Sequence, residues 1–255
     1  MNRNTGILFF TLVVMMIGFG IIIPLLPFYV TDMGGSGISM GILMAVFSLM
    51  QFLFSPFWGD LSDRYGRKTF LMLGIFGNGI SMVLMGFATE LWMLFAARAL
   101  AGLLSSATLP TAMAYISDST DEESRGGGMG IIGAAMGIGM VLGPGIGGVM
   151  SDISLSAPFF LAAGLSALSL VFIWILLPES LPEEKRLKSE KKLQGPQIKA
   201  MWESLFSPIG FLFGLAFLLS FGLTNFEGVF GLYAEYRFDY DAKTVGMVLT
   251  VSGSS

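Results

Sequence analysis

Two charged residues stand inside long apolar runs, Arg98 and Glu227, and their types define the chemistry open to them. A glutamate in such a place can take up and release a proton. An arginine cannot lose its proton and acts as a fixed counter-charge. Insertion of such a charge near the bilayer centre costs roughly 2.5–3.5 kcal/mol, so a retained one usually faces a water-filled cavity. The plainer readings stay open: Arg98 could snorkel or bond backbone carbonyls, and Glu227 could sit at a membrane border. Gln51, Asn78 and Asn225 are the polar residues that could line the same cavity. A third feature is residues 59–68, GDLSDRYGRK, which hold Asp60, Asp63, Arg64, Arg67 and Lys68, whereas residues 7–57 hold one charge, Asp32. With neither cysteine nor histidine, disulfides, Cys or His metal sites and His-based catalysis are excluded.

The elements that must position these residues follow from hydropathy. The chain is 54% hydrophobic and 13% charged, against about 25% charged in soluble domains. Apolar blocks cover 7–30, 38–58, 69–88, 91–114, 127–150, 158–177 and 208–231. Each is long enough to cross a ~30 Å hydrocarbon core as a helix. An eighth begins near Thr244 and runs off the end, which leads us to expect a chain that continues past Ser255. The first block is too long for a signal peptide and carries Pro24 and Pro27 where cleavage needs small residues, so we expect it to be retained.

Loop charge sets orientation. With the N-terminus in the cytoplasm, inner segments hold eleven of the fourteen Lys and Arg: Arg3, Arg64, Arg67, Lys68, Arg125, Lys185, Arg186, Lys188, Lys191, Lys192 and Lys199. Outer segments hold Arg237 and Lys243. Trp58, Trp92, Trp174 and Trp202 fall near the borders of the spans, where indoles favour the interface. The patch 59–68 is then a short cytoplasmic turn, with Gly59 and Gly66 permitting tight backbone, Asp60 near a helix N-terminus, and Arg67 or Lys68 paired across the turn or with lipid phosphate. Such a turn could act as a latch; a simple positive-inside anchor accounts for Arg64, Arg67 and Lys68 but not for the aspartates and glycines. Residues 179–207 read as a charge-mixed cytoplasmic linker, ending in an amphipathic stretch (Ile198, Met201, Trp202, Leu205, Phe206) that could lie on the membrane surface.

An internal repeat organises the chain. At an offset of 204, Gly6, Leu8, Phe9, Gly18 and Tyr29 meet Gly210, Leu212, Phe213, Gly222 and Tyr233. At 205, MGILMAV (40–46) meets VGMVLTV (245–251). A six-helix unit that starts again near Ser207 is a transporter design of two halves about an axis along the membrane normal.

The motifs carry a resemblance. Residues 59–68 resemble the loop signature of the major facilitator superfamily, at Gly59, Asp60, Asp63, Arg64, Gly66, Arg67 and Lys68. Gly18, Pro24 and Pro27 resemble a first-helix pattern of its drug:proton antiporters. Arg98 with Gly102 resembles the superfamily's intramembrane arginine motif, with Ala101 where Gln is frequent. Gly130, Gly139, Gly143, Pro144, Gly147 and Gly148 match all six positions of the antiporter-branch motif, and Asn225-Phe226-Glu227 looks like the acidic site of bacterial multidrug and tetracycline exporters. The helix bearing the antiporter motif has eleven glycines between Gly126 and Gly148, which allow close packing, and Gly143-Pro144 permits a bend; plain tight packing is the simpler reading. Gly128-x-Gly130-x-x-Gly133 spells a dinucleotide fingerprint, but no strand precedes it.

The resemblance implies an all-α membrane protein of the major-facilitator fold: a first six-helix bundle (1–178), a cytoplasmic linker (179–207), and helix 7 with the start of helix 8 (208–255) of an expected two six-helix halves. It implies a monomeric, plasma-membrane, proton-coupled exporter of hydrophobic, often cationic drugs, with Glu227 alternating between proton and drug while Arg98 tunes the exchange. Its eighteen methionines and twenty-three phenylalanines could line an adaptable cavity. No cofactor, metal, nucleotide or nucleic-acid partner is implied. A sugar or metabolite transporter is the alternative within transport; a receptor or intramembrane enzyme is the alternative outside it.

Overall fold

The computed structural model describes residues 3–186, 198–207 and 210–253. Its described residues form ten α-helices: α1 (Arg3–Asp32), α2 (Gly37–Tyr65), α3 (Arg67–Gly86), α4 (Leu91–Ser105), α5 (Thr108–Ser119), α6 (Glu122–Ser151), α7 (Ala157–Leu176), α8 (Ile198–Leu205), α9 (Gly210–Phe238) and α10 (Ala242–Gly253). They supply seven candidate membrane spans, with α4 and α5 together making the fourth. Helix is the form these segments must take, because in lipid each backbone N–H and C=O needs a partner within its own segment.

The fourth span is not one rod, and its break has a local cause. The Leu103 carbonyl accepts from Trp58 Nε1 at 2.6 Å and from Ser106 Oγ at 2.9 Å. The Ala107 N–H bonds Leu104 O instead, closing a tighter turn where an α-helix would have used Leu103. Trp58 is therefore turned into the bundle, while Trp92, Trp174 and Trp202 remain exposed.

α1 is the axle of the first bundle. Its patch-end residues Leu8 and Leu12 pack with Leu71, Tyr115 and Ile173, and its other end, including Leu25 and Leu26, packs with Met85, Leu94 and Phe159. Tyr29 meets Phe159 edge to face at 5.2 Å. α6 and α7 lie against α1, α3 against α4 and α7, and α2 against α4; α10 returns to lie along α6.

The patch differs from its expected form. α2 continues through it to Tyr65, so Gly59, Asp60, Asp63 and Arg64 are helical and the turn shrinks to Gly66 alone. Gly59 makes no close approach; Gly66, with φ +105°, is the glycine that the turn requires. After α7, residues 178–186 fold back onto the bundle, with Leu181 buried. The linker residues Lys188, Lys191 and Lys192 lie outside the described residues, as do the side chains of Arg3, Arg125, Lys185, Ile198, Lys199 and Met201. The amphipathic stretch is helical as α8, with Trp202 and Phe206 exposed and 5.6 Å apart.

Candidate functional site

Three places collect the residues singled out above. The first is the patch. Asp60 pairs with Arg64 one turn on at 3.0 Å, with both side chains nearly buried. Asp60 thus sits near the end of α2 and not at a helix N-terminus. Arg67 is the hub: its guanidinium pairs with Asp63, with Asp118 at the end of α5 at 3.0 Å, and with Ser62 Oγ at 2.8 Å. Lys68 Nζ donates to the Trp174 carbonyl at 2.8 Å, a protein partner where lipid phosphate was one expectation.

Sequence reasoning missed Glu179. Its carboxylate accepts from the backbone N–H groups of Arg67 (2.8 Å), Lys68 (3.2 Å), Ser180 (3.0 Å) and Leu181 (3.1 Å). A residue 112 positions away thereby caps α3, meeting the orphan donors and the positive end of its dipole. A Cβ on Gly66 would fall within the Glu179 carboxylate. Asp118 was missed as well. The one available signal was electrostatic: acids beside the borders of spans 4 and 6, on the side where the basic patch lies.

The second place is the crossing of α6. Gly139, Gly143 and Gly147, four residues apart, lie against α1. A Cβ at Gly143 would stand 2.7 Å from Gly20 Cα, and one at Gly147 would stand 3.1 Å from Ile21 O. Gly148 and Gly145 face α10: their added carbons would meet Lys243 O at 2.9 Å and Thr250 Oγ1 at 2.7 Å. Gly130 approaches nothing. Pro144 sits within an unbroken helix. α6 is therefore wedged between α1 and α10, and Asp152, just past its end, pairs with Lys243 at 2.5 Å. Hydrogen bonding to Asp152 raises the pKa of Lys243. In α1, Gly18 faces Asn78 and Ala162, and Pro27 sits where a Cβ on Gly231 would fall, at 2.7 Å; Pro24 is accommodated inside the helix.

The third place is α9. Asn225 and Glu227 are two residues apart, so they project to opposite sides of a helix. Asn225 lines a cavity of about 530 Å³ against α2, with Met40, Met44, Ser48, Phe221 and Thr224. Glu227 lines one of about 490 Å³ against α1, α6 and α10, with Ile23, Met140, Pro144 and Ser252. α9 runs on to Phe238, which puts Glu227 eleven residues, ~16 Å by the helical rise, from that end of the helix and four residues from the end of the apolar block at 231. Arg98 is buried seven residues into α4. Its Nη2 reaches Met44 Sδ at 3.2 Å, and its Cζ lies 5.0 Å from the centre of the Phe47 ring. No described bond or cavity joins Arg98 to Glu227. Asn78 is buried and donates to Ser166 Oγ at 3.0 Å, a bond within the first bundle. Gln51 is exposed on α2 and lines neither cavity beside α9.

Seven candidate spans packed as one helical bundle define a polytopic membrane-protein fold. The sequence profile of the Major Facilitator Superfamily matches residues 8–255, and the chain belongs to that family. Multidrug resistance protein 2 of Bacillus subtilis (strain 168) is 33% identical over 248 residues, 96% of this chain and 62% of the relative. Quinolone resistance protein NorA of Staphylococcus aureus (strain MRSA252) is 30% identical over 255 residues, 99% of this chain and 64% of the relative. The chain thus spans a little under two thirds of the length of these curated relatives. Among solved structures, a bacterial homolog of the human lysosomal transporter Spinster, inward-facing and unoccupied, superposes with a TM-score of 0.78 at 17% identity, over 98% of this chain and 60% of that one. The human organic anion transporter MFSD10 (TETRAN) does so with 0.73 at 22% identity, over 99% and 69%. These two likenesses establish the fold.

Proposed function

We propose that the intact protein is a proton-coupled antiporter that exports hydrophobic, often cationic compounds across the cell membrane, with its N-terminus in the cytoplasm. It works as a monomer, and its two halves, 1–178 and the unit beginning at 208, rock about a central cavity. Such a protein is a transporter and not an enzyme. The similarity to proteins named for multidrug and quinolone resistance supports this reading.

The observation that carries it is Glu227, a titratable group opening into a cavity between α9 and the glycine-lined α6 whose other lining side chains, Ser252 apart, are apolar. An acid there can load a proton on one side and release it on the other as α6 and α10 part. The small residues of α6 let the two units approach closely enough to seal against leakage. The patch around Arg67 holds α2, α3, α5 and residue 179 as one rigid end, against which the second unit closes.

The test is dye efflux from proteoliposomes of the intact protein under an imposed proton gradient. A protonophore is expected to abolish efflux, and Glu227→Gln to abolish its dependence on the gradient while leaving the protein inserted. Efflux by Glu227→Gln at the wild-type gradient-driven rate would remove Glu227 from the mechanism.

A further inference from the structure

Helices α3 and α7 pack against each other, and on the periphery of the first bundle they leave a groove of about 340 Å³ between them. Phe76 and Ile80 of α3, both exposed, stand along one edge, and Ala163, Ala167 and Leu170 of α7 along the other. The floor is shut. A Cβ on Gly79 would stand 3.2 Å from Ser166 Cβ, and the buried Asn78 donates to Ser166 Oγ at 3.0 Å. The groove therefore opens away from the bundle, on the side that faces lipid.

Its two ends differ. Beyond Val83 and Ala163 stand Phe87 and Phe160, edge to face at 4.8 Å, with Phe160 also over Gly86. In the other direction the helical registers 68, 72, 75, 79 and 167, 170, 174 carry the groove to the patch end of the bundle. There Lys68 Nζ donates to the Trp174 carbonyl at 2.8 Å, which ties the two helix ends together, and Trp174 is 67% exposed. An ammonium group has three donors, and this bond uses one. Glu179 meets the backbone N–H of Lys68, and among the described residues no carboxylate pairs with its Nζ. Past Lys68 neither α3 nor α7 carries a charge.

A single cation at one end of an uncharged groove is complementary to an amphiphile with an anionic head and an apolar tail. The lengths agree. From Lys68 to Gly79 is eleven residues, ~16 Å by the helical rise, close to half of a ~30 Å hydrocarbon core, so a tail anchored at Lys68 ends in the groove. We propose that this groove is a specific site for an anionic phospholipid of the patch-side leaflet: its phosphate binds Lys68 Nζ beside Trp174, and one acyl chain fills the cleft between α3 and α7. The exposed Trp174 then lies at the level of the head group, where indoles favour the interface. Nothing in this site depends on what the protein transports.

The test is native mass spectrometry of the purified intact protein, titrated with palmitoyl-oleoyl-phosphatidylglycerol (POPG) or with the phosphatidylcholine of the same chains (POPC). Wild type is expected to hold its first POPG ~5-fold more tightly than its first POPC, the scale of one basic residue at a lipid surface. Lys68→Gln is expected to remove that preference by weakening POPG ~5-fold while changing POPC by less than about 2-fold; Lys68→Arg is expected to keep it. Ala167→Trp, at an exposed position, fills the groove and is expected to weaken both lipids several-fold. Leu168→Trp, exposed but outside the groove, is expected to leave both within about 2-fold. POPG and POPC held alike by wild type, a preference that survives Lys68→Gln, or Ala167→Trp and Leu168→Trp acting alike would each overturn the proposal. A dimer that Ala167→Trp dissociates, with no preference for POPG, would assign the groove to a second copy of the chain and overturn it as well.

Discussion

Helices α1 and α9 are counterparts in the internal repeat, 30 and 29 residues long, and they end in opposite surroundings. Two thirds of the most apolar window of α1 is buried, 67%, and none of that of α9. Matched residues therefore do different work. Tyr29 is buried edge-on to Phe159, whereas Tyr233 is half exposed and meets, also edge to face, only Phe238 at the end of its own helix among the described rings. Gly18 fits against Asn78 and Ala162, whereas nothing lies where a Cβ on Gly222 would go. Hydropathy makes both segments spanning helices; only neighbours make one of them a core. The same contrast explains why the charge patch is locked within the first bundle, while the cavities that the proposed transport cycle needs open beside α9.

Substitutions can break this comparison. The largest effect on folding is expected at Gly143, where leucine would press on the Gly20 backbone, which cannot yield as a side chain can. A loss of about 3 kcal/mol is expected, read as a fall in thermal midpoint of the purified intact protein. The paired substitutions Gly18→Leu and Gly222→Leu sharpen the contrast directly. The first should cost about 1–3 kcal/mol and the second stay within ~0.5 kcal/mol; equal costs would mean that α9 is packed like α1.

A smaller loss is expected for Glu179→Ala, about 1–2 kcal/mol for a helix cap, with faster proteolysis within residues 178–186. If neither changes, the four N–H bonds to Glu179 are dispensable. The smallest effect is expected at Asp241, which precedes α10 as Ser36 precedes α2 in the repeat. Its Oδ1 accepts from the Thr244 N–H at 2.8 Å, and this bonding with Thr244 holds its carboxyl below the usual range. A depressed native pKa means that the contribution is complete above the unfolded value of about 4 and fades as pH falls through the native one. The deficit of Asp241→Ala, a few tenths of a kcal/mol, ~0.3, for an exposed cap, should therefore be present at neutral pH and shrink in acid; midpoints compared at both pH values decide it.

The spans and the placing of the patch between the second and third spans were legible because each rests on local pattern. Other features were not. The patch reads as a turn because charge and glycine are turn signals, yet Asp60–Arg64 and Asp63–Arg67 are spaced for pairing along a helix, and pairing extends α2 to Tyr65. Arg98 and Glu227 read as one site because both are buried charges, but similar depth does not imply a shared cavity. The opposition of Asn225 and Glu227 was available from helical spacing alone. Glu179 was hidden by distance, since nothing local tells an acid beside Pro178 that it will cap α3.

The amino-acid sequence by itself determined that this chain is a series of membrane-crossing helices, because apolar length and the need to satisfy backbone groups in lipid are properties of each segment alone. Tertiary structure decided which helix is wrapped and which lies open, which acid closes on Arg67, and which face of α9 each polar group serves. Those outcomes depend on burial and on charges brought close from distant parts of the chain, and such energies exist only once the helices have packed.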